Sequence, residues 1–361
     1  MKACIVGIQN IKHMTLISLY TNYFEKNGIL YDLIYIDKYG LEEKNGANKT
    51  YRFDASAKIY NSVFGKLLKT VAFKKYACKI MNDNKYDFIV VWREQTASIF
   101  ANYLKHKYQG KYCVNIRDLW NGKNIYITHG LKKAISYSAF NTISSYGFLD
   151  KLPQADYLMV HSLNPDFLNS VNNRSSNDYY RDPITISYIG TVRFVEYCYS
   201  LIDLFGNDSR FILKFVGQGS NVIKEYTLSK NINNVICVGQ FEPDNTMALL
   251  EDANIINCAF GANSLPEQRL MPIRYYYALI NHCPVLTTLG TWVDTEAKKV
   301  GIGISVPNKI SPSKELVDRI YNDYYAIIKK GVDQPINLAL DSISADNEKF
   351  IKAVERVFKE S

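Results

Sequence analysis

The stretch Leu270–Thr288 (LMPIRYYYALINHCPVLTT) decides the fold class of this 361-residue chain. Pro272 can begin a helix, because its fixed φ angle suits the first helical turn, where no N–H donor is needed. The amphipathic segment after Pro272 predicts that helix, and Pro284 leads into a short apolar strand, Val285–Thr288. Arg274 lies at the start of the helix, where a cation and the helix dipole together favour a phosphate group. The stretch therefore predicts a helix–strand unit of a parallel sheet, with a candidate phosphate-binding residue at the helix start.

Short apolar segments alternate with segments of helical periodicity along the first half of the chain. The predicted strands are Ala3–Ile8, Tyr31–Asp37, Asp87–Trp92, Tyr112–Ile116 and Tyr157–Ser162. Helices are predicted between them: up to about Lys26, at Ala57–Met81, from about Thr96 to Tyr108, and over a stretch that runs to about Leu149. Strands that alternate with helices in this way are typical of βαβ units, which form a mostly parallel sheet.

A second alternating set begins after residues 172–183, a polar segment that ends in proline and predicts a linker. Its predicted strands are Thr185–Ile189, Phe211–Val216, Val235–Val238, Ile255–Ala259 and Val285–Thr288, and its predicted helices include Asp244–Asp252 and a last one at about Ala345–Lys359. A single hydrophobic core rarely holds more than ~250 residues, so we expect two Rossmann-like domains in an α/β chain. The first would cover residues 1–175 and the second residues 184–340. A C-terminal helix within residues 341–361 would pack back toward the first domain.

The composition excludes several other classes of protein. The chain has no run of about 18 apolar residues, so we expect no membrane-spanning helix. Met1–Gly7 is too short and too strand-like for a signal peptide. The seven cysteines are scattered without a CxxC pair, which favours buried thiols in a reducing cytoplasm over disulfides or zinc. The five histidines show no metal-ligand spacing. These features predict a cytoplasmic protein without a metal site.

Positive charge is concentrated in the first half of the chain. Residues 1–182 contain 25 Lys and Arg against 15 Asp and Glu, whereas the remainder contains 18 against 20. The basic side chains of this half include Lys66, Lys69, Lys74, Lys75, Lys79, Lys132 and Lys133. They could attract an anionic membrane surface or an anionic lipid-linked substrate, or they could simply be solvated helix faces. No nucleic-acid-binding signature accompanies them.

A dinucleotide cofactor is not indicated. NAD and FAD domains carry G-x-G-x-x-G between the first strand and its helix, where the glycines let the pyrophosphate approach the backbone. Here the first strand is followed by Gly7 alone and then by residues 8–12, which contain no glycine. The P-loop pattern is also absent. We therefore expect no cofactor.

Glycine marks the end of three predicted strands in the second half. Gly190, Gly217 and Gly239 each follow an apolar strand, where a residue without a side chain lets the backbone turn and a ligand approach. Open α/β sheets bind ligands at the carboxyl ends of their strands. Arg193, three residues after Gly190, can hold a phosphate through two hydrogen bonds. Together these exits predict a nucleotide-type ligand.

The order of these motifs resembles that of GT-B glycosyltransferases, in the GT4-like group that builds capsular, O-antigen or extracellular polysaccharide. The strongest match is Pro272-x-Arg274, Ala278 and Pro284-Val285, followed by Gly301–Ile304. The weaker matches are Tyr188–Gly190 with Arg193, Phe215–Gly219, Val238–Gln240, Leu249–Asn254, Asp87–Val91, Ile116–Trp120, and Ala155–Tyr157 with Ser162. The resemblance covers most of the chain.

This resemblance implies two Rossmann-like domains whose parallel sheets face each other across a cleft. It implies that the second domain holds a nucleotide-sugar donor such as a UDP- or GDP-sugar. The acceptor, a lipid-linked glycan or an oligosaccharide, is then held mainly by the first domain. The basic first half of the chain would allow this cytoplasmic protein to lie at the inner face of the plasma membrane. The residues implied at the donor are Arg193 and Arg274 at the diphosphate, Gly190 and Gly217 at close backbone approaches, and Gln240, Phe241 and Glu242 beside the nucleobase. The chemistry implied is independent of a metal.

The chain departs from the family at one pair of positions. Many members carry two glutamates eight residues apart in this region, and the second binds the ribose hydroxyls. The corresponding positions here are Arg269 and Tyr277, and Glu267 is the nearest carboxylate. We keep Arg269 and Tyr277 as candidate donor-binding residues. Beside a transferase with altered donor binding, the departure leaves open a non-catalytic GT-B-like subunit of another transferase. A sugar-nucleotide epimerase is a third alternative, because some epimerases share this architecture.

Three residues at predicted strand exits of the first domain are candidates for the catalytic base. They are His13, Glu94 and Asp118. In an inverting transferase such a side chain would take the proton of the acceptor hydroxyl. In a retaining enzyme of this family the departing phosphate is thought to help remove that proton, so a side-chain base is not required. Loop capping and solvent exposure are the structural alternatives for each of the three residues.

Overall fold

A computed structural model of the chain describes residues 1–40, 43–56, 62–119, 125–170, 179–180 and 182–359. The chain divides into two compact units. Unit 1 consists of Met1–Asn164 together with Ala345–Ser361, and unit 2 consists of Pro165–Ser344. The boundary between them thus falls before the expected linker, most of which lies outside the described residues.

Unit 1 is built on a parallel sheet, which has seven strands within the described residues. The strands are β1 (Lys2–Gly7), β2 (Leu30–Asp37), β3 (Lys49–Asp54), β4 (Phe88–Trp92), β5 (Tyr112–Ile116), β6 (Phe140–Ile143) and β7 (Leu158–Met159). Their order in the sheet is β3-β2-β1-β4-β5-β6-β7. Gly7 at the end of β1 pairs with Tyr35 of β2 on one side and with Trp92 of β4 on the other.

Helices cover both faces of this sheet. They are α1 (Ser18–Lys26), α2 (Val63–Asn84), α3 (Glu94–Lys107) and α4 (Ile125–Ser136), with short 3-10 turns at Ile11–His13, Tyr146–Lys151 and Pro165–Ser170, the last of which belongs to unit 2. Phe73 of α2, Phe100 of α3 and Leu131 of α4 share one hydrophobic core. Phe24 of α1 belongs to a second core on the opposite face. Because a helix that follows a parallel strand starts where that strand ends, α2, α3 and α4 begin at the carboxyl edge of the sheet.

Unit 2 repeats the same topology. Within the described residues its parallel strands are β8 (Ile184–Ile189), β9 (Phe211–Val216), β10 (Val235–Val238), β11 (Ile255–Asn257), β12 (Val285–Thr288) and β13 (Gly303–Val306), in the order β10-β9-β8-β11-β12-β13. Its helices are α5 (Val195–Phe205), α6 (Ser220–Ser229), α7 (Thr246–Leu249), α8 (Leu265–Arg269), α9 (Ile273–Ile280), α10 (Trp292–Val300) and α11 (Lys314–Lys330), with a 3-10 turn at Pro243–Asn245. This is the strand order of a Rossmann fold, with the reversal between the first and fourth strands.

The last helix, α12 (Asp333–Lys359), contributes its second half to unit 1. Phe350, Val354 and Phe358 are buried in the same core as Phe24. The Phe350 ring lies 5.1 Å from the ring of Tyr20 in an edge-to-face contact. The C-terminal segment is therefore part of the first unit's hydrophobic core. None of the described helices is both long enough and apolar enough to cross a membrane.

Three of the described strands, β3, β6 and β13, are not predicted from the sequence, and each has a physical reason. β3 (KTYRFD) is an edge strand whose side chains are exposed or half-buried, so it carries no buried apolar run. β6 (FNTI) has four residues, and two of them are polar groups buried in hydrogen bonds. It interrupts the helical stretch expected up to Leu149, and that prediction is wrong after α4. β13 is a short edge strand that contains a glycine and a serine.

We expect Phe350→Ala to lower the free energy of unfolding by about 3 kcal/mol, because it leaves a cavity beside Tyr20 in the core of unit 1. Lys352→Ala on the same helix is the control, since that side chain is 74% exposed. Urea denaturation of both variants, with amide hydrogen exchange of β1 and β4, measures the difference. Equal unfolding midpoints would show that the end of α12 does not stabilise unit 1.

Candidate functional site

In each sheet the strand order reverses at one place, between β1 and β4 in unit 1 and between β8 and β11 in unit 2. The connections on the two sides of such a reversal lead away in opposite directions and leave a crevice outside the carboxyl ends of the strands. Open α/β sheets bind their ligands in this crevice. The residues that follow β1, β4, β8 and β11 are therefore the first place to look for a site.

Three glycines follow three neighbouring strands of unit 2. Gly190 follows β8, Gly217 follows β9 and Gly239 follows β10. The exits are joined by backbone hydrogen bonds: Gly190 N–H donates to the Val216 carbonyl at 2.9 Å, and Gly217 N–H donates to the Val238 carbonyl at 2.9 Å. The glycine-marked exits recognised in the sequence thus lie side by side at one edge of the sheet.

Gly190 and Gly217 have different structural roles. Both have a positive φ, 111° and 128°, which other residues rarely adopt. A Cβ atom at Gly217 would lie 2.3 Å from the Gly190 carbonyl oxygen, so glycine is needed there for the two loops to pack. A Cβ atom at Gly190 would meet nothing within 4 Å. Open space therefore lies in front of β8, next to the reversal.

Arg274 occupies that reversal. It lies in the first turn of α9, and its guanidinium carbon sits 3.9 Å from the centroid of the Tyr188 ring on β8. Its Nε–H donates to the carbonyl oxygen of Asn257, the last residue of β11, at 2.7 Å. Arg274 is thus held between the two strands that flank the crevice. Its position at the start of a helix agrees with the prediction from the sequence.

The charge of Arg274 has neutral partners. Burial raises the pKa of the Cys258 thiol to about 12, and the charge of Arg274 and its hydrogen bond with the thiol oppose that shift. Burial raises the pKa of Cys198 to about 11, again opposed by Arg274. These thiols are neutral at physiological pH. Among the described residues no carboxylate forms an ion pair with Arg274, so its positive charge remains available to an anionic ligand.

Tyr188 organises the loop beside Arg274. Its hydroxyl donates to the Thr191 carbonyl at 2.9 Å and accepts from the backbone N–H of Arg193 at 3.2 Å. The Arg193 side chain is exposed at the end of this loop. The same tyrosine therefore supports both predicted phosphate-binding arginines, one on its ring and one through its hydroxyl. Tyr188 was not among the predicted site residues; its only local signal is an aromatic ring two residues before Gly190.

The two positions at which the resemblance predicts glutamates lie on α8 and α9. Arg269 ends α8 and is half-buried. Tyr277 lies three residues after Arg274 on α9. The centroids of the Tyr277 and Phe167 rings are 6.2 Å apart, in an edge-to-face contact. Glu267 accepts the backbone N–H of Ser264 at 2.8 Å within a capping box. The nearest carboxylate is therefore occupied in capping its own helix.

The predicted nucleobase residues follow β10, at the outer end of the row of glycine exits. Gln240 and Glu242 are exposed, and Phe241 is half-buried. Glu242 immediately precedes a 3-10 turn, Pro243–Asn245. In the sheet, β10 lies two strands away from β8, which carries Tyr188, the residue that Arg274 stacks on.

Arg93 is the central side chain at the reversal in unit 1, and it was not among the predicted residues. It directly follows β4, and its guanidinium donates to the Gln9 side-chain oxygen at 3.1 Å. It also pairs with the Asp118 carboxylate at 3.5 Å. Gln9 follows β1 and Asp118 follows β5, so Arg93 joins the exits of three adjacent strands. Its φ of 77° and ψ of 153° fall in a region that is otherwise almost confined to glycine.

The three candidate bases differ in their surroundings. Asp118 is 62% exposed and is held by Arg93. Glu94 is buried, with 4% of its surface exposed, in the first turn of α3. His13 is exposed on the 3-10 turn after β1, and its ring nitrogen lies 3.0 Å from the Tyr39 hydroxyl. Asp118 is therefore paired with Arg93, and Glu94 is the next residue after it. The backbone carbonyl of His13 accepts from the side-chain amide of Gln9 at 2.5 Å, so His13 is connected to the same strand exit through Gln9.

The fold is similar to those of solved glycosyltransferase structures over almost their whole length. It matches a sucrose-phosphate synthase from Thermosynechococcus elongatus with a TM-score of 0.67 and 12% identity, over 100% of both chains. It matches HepE from Anabaena in complex with UDP with a TM-score of 0.64 and 11% identity, over 99% of this chain and 100% of that one. It matches the lipopolysaccharide outer core galactosyltransferase WaaB with a TM-score of 0.62 and 14% identity, over 100% of this chain and 99% of that one.

No protein-family model and no curated protein sequence matches the chain. At these low identities the structural similarity establishes the fold. The chain has the GT-B fold with two Rossmann-like units, and the prediction made from its motifs is confirmed.

We expect Gly217→Ala to destabilise unit 2 more than Gly301→Ala does. Both glycines have a positive φ, but a Cβ atom at Gly301 meets nothing within 4 Å. Gly301→Ala should therefore lower the free energy of unfolding by about 1–2 kcal/mol through backbone strain alone. Gly217→Ala should add a further ~1–3 kcal/mol from the overlap with the Gly190 carbonyl. Urea denaturation followed by circular dichroism measures both, and equal losses would contradict the close packing of the two loops.

Proposed function

We propose that this chain is a glycosyltransferase. It moves a sugar from a nucleotide-sugar donor bound by unit 2 to a glycan acceptor bound by unit 1, in the synthesis of a bacterial surface polysaccharide. The observation that carries the proposal is Arg274, a cation without a carboxylate partner among the described residues, stacked on Tyr188 at the strand reversal. The GT-B fold supports it, as do the UDP bound to HepE and the outer-core activity in the name of WaaB.

In this proposal the bond between the sugar's anomeric carbon and the donor diphosphate breaks, and the diphosphate leaves with the electron pair. The acceptor hydroxyl oxygen forms the new bond to that carbon and loses its proton. Negative charge therefore grows on the leaving phosphate oxygen. Arg274 stabilises this charge and needs little rearrangement to do so, because Tyr188 and Asn257 already hold its guanidinium. Arg193 adds a second cation from the neighbouring loop. No metal or cofactor is required by this scheme.

The proton of the acceptor hydroxyl must be taken up either by a basic side chain or by the leaving phosphate. Asp118 is the best placed of the three candidates, because its carboxylate is exposed at a strand exit and paired with Arg93. Glu94 is buried in the first turn of α3, and His13 is exposed next to Tyr39. If the enzyme retains the configuration of the sugar, the leaving phosphate takes the proton and these side chains position the acceptor hydroxyl instead.

A non-catalytic GT-B-like subunit is the second candidate function. It is favoured by the loss of carboxylates from α8 and α9, where Arg269 and Tyr277 stand and Glu267 caps its own helix. An epimerase is the third. Unlike a transferase, it would interconvert nucleotide sugars in the absence of an acceptor.

Calorimetry with a panel of UDP-, GDP- and CDP-sugars tests the donor site. We expect at least one donor to bind, and Arg274→Ala to lower turnover by about 10²–10³-fold, because it removes a preorganised cation from the leaving group. Arg274→Lys keeps the charge but cannot both stack on Tyr188 and bond to Asn257, so an intermediate loss is expected.

The control is Lys329→Ala, which removes one positive charge from an exposed position on α11. Its turnover should equal that of the unaltered protein. A panel without any binding heat would favour the non-catalytic subunit. Unchanged turnover in Arg274→Ala would rule out its role at the diphosphate.

We also propose that the start of α2 contacts an anionic membrane surface. Leu67, Leu68 and Val71 are exposed there, with Leu67 at 61% of its full exposure. The lysines of the same region of α2 are Lys66, Lys69, Lys74 and Lys75. Ile125 and Tyr126 are exposed at the start of α4, on the same edge of the sheet. Exposed apolar side chains among lysines fit a bilayer with anionic headgroups.

Cosedimentation with phosphatidylcholine vesicles that contain phosphatidylglycerol measures this contact. Each lysine near such a surface contributes about 1 kcal/mol, so Lys66→Gln, Lys69→Gln, Lys74→Gln and Lys75→Gln together should weaken binding by at least ~100-fold. Binding by the unaltered protein should fall as salt is raised. The matched control neutralises four exposed lysines of unit 2: Lys299, Lys309, Lys314 and Lys329. Equal losses in both quadruple variants, or binding that does not respond to salt, would contradict a specific membrane face.

A further inference from the structure

A cluster of cations lies at the carboxyl edge of unit 1, beside the strand reversal. Lys38 directly follows β2, Arg93 directly follows β4, and Lys69 lies in the second turn of α2, which begins at the same edge. We call these three residues the edge cluster. Arg93 also contacts Gln9 and Asp118, and Lys69 is one of the four lysines of the proposed membrane face, whereas Lys38 has no assigned role so far.

The charges of the edge cluster act on one another. Loss of water and then the positive charges of Lys69 and Arg93 lower the pKa of Lys38. Burial and the charge of Lys66 lower the pKa of Lys69. Both effects disfavour the charged form of a lysine. These directions agree with the topology, which brings the residues after β2 and β4 and the start of α2 to the same edge of the sheet. An anion bound between like charges at this edge would reduce their repulsion.

No carboxylate of the described residues forms a salt bridge with either lysine. The Lys38 and Lys69 ammonium groups also form no hydrogen bond with a described residue. Asp37, next to Lys38, is occupied by the Asn10 side chain at 2.9 Å and by Arg52 at 3.7 Å. Asp118 neutralises part of the charge of Arg93 only. Positive charge therefore remains at the edge.

The backbone of Arg93 indicates that its position is under constraint. Its φ and ψ angles belong to a region where glycine is the usual residue. The chain nevertheless carries a long cationic side chain there, oriented by Gln9 at 3.1 Å. Residues held in such strained backbone conformations cluster at active sites and at sites that clamp a ligand.

We propose that Lys38, Lys69 and Arg93 bind the phosphate group of a phosphorylated acceptor. Two ammonium groups and a guanidinium match a ligand group with several oxygens and more than one negative charge, which a phosphate offers and a single carboxylate does not. This site narrows the class of acceptor that the proposed glycosyltransferase would use. Only the ligand's role as an acceptor rests on that proposed function; the binding of phosphate does not. Phosphate chemistry of this kind belongs either to a lipid-linked glycan in a membrane or to a soluble sugar phosphate.

Calorimetric titration of the full-length protein with inorganic pyrophosphate, after saturation with UDP, tests the site itself. UDP occupies the proposed donor site of unit 2, so the remaining heat reports on other phosphate sites. We expect Lys38→Gln with Lys69→Gln to weaken pyrophosphate binding by at least ~10-fold, since two charge-assisted hydrogen bonds are lost. Lys38→Gln alone should give a smaller loss in the same direction.

The matched control is Lys79→Gln with Lys111→Gln. This pair removes the same charge from unit 1, near the end of α2 and before the start of β5, away from the carboxyl edge. It should bind pyrophosphate as the unaltered protein does. Arg274→Ala should lose UDP and keep the pyrophosphate site. If UDP fails to bind but Lys38→Gln still weakens pyrophosphate, the donor assignment fails and the edge cluster stands. If the Lys38 and Lys69 variants bind pyrophosphate like the control, or if Arg274→Ala alone abolishes it, the edge cluster is overturned.

Two further titrations separate the sources of the phosphate. One uses glucose 6-phosphate, and the other uses phosphatidylcholine vesicles with phosphatidic acid, compared with vesicles of equal charge made with phosphatidylserine. Because Leu67, Leu68 and Val71 are exposed beside Lys69, we expect Lys38→Gln to weaken binding of the phosphatidic acid vesicles. A loss of at least ~10-fold for glucose 6-phosphate instead would assign a soluble acceptor. If Lys38→Gln weakens binding in neither titration, the proposed phosphate site at this edge is contradicted.

Discussion

The described strands of each sheet all run in one direction, and the position of almost every candidate residue depends on this constraint. Parallel strands end at the same edge of a sheet, and the reversal of strand order brings the first and fourth strands of each unit side by side. In unit 2 this places Tyr188 and Asn257 next to each other, and Arg274 bridges them. In unit 1 it brings Gln9 and Arg93 into contact. The two candidate sites therefore occupy the same place in two copies of one topology.

The two edges differ in how their cations are compensated. Arg274 is held by an aromatic ring, a backbone carbonyl and neutral thiols, so it keeps its charge for an anion. Arg93 is paired with Asp118 and lies beside the buried Glu94, so its edge combines acids with cations. An uncompensated cation suits a leaving diphosphate. A mixture of carboxylates and cations suits an acceptor that must be held by its charge and must lose a proton from a hydroxyl.

The resemblance to GT-B glycosyltransferases leads us to expect two glutamates at positions 269 and 277, and the proposed donor site depends on their replacement. Arg269 and Tyr277 put a cation and an aromatic ring at these positions. Glu267 cannot take over the role of such a glutamate without giving up its hydrogen bonds to the start of α8. In the proposed transferase the ribose hydroxyls therefore need other hydrogen-bond acceptors. The binding of the diphosphate becomes more favourable, because no carboxylate at these two positions repels it. The proposed catalysis therefore depends on how unit 2 binds the donor.

The sequence by itself determined the GT-B fold class and the position of Arg274. Pro272, Pro284 and the glycines after the strands act on the backbone within a few residues, so their effect is visible in the local sequence. Short or polar strands such as β3 and β6 carry no such local signal, because pairing with a neighbouring strand stabilises them. Only the tertiary structure decided that Tyr188 supports Arg274, and that Lys38, Lys69 and Arg93 share one edge. These residues are far apart in the chain, and only the folded sheet brings their charges and rings together.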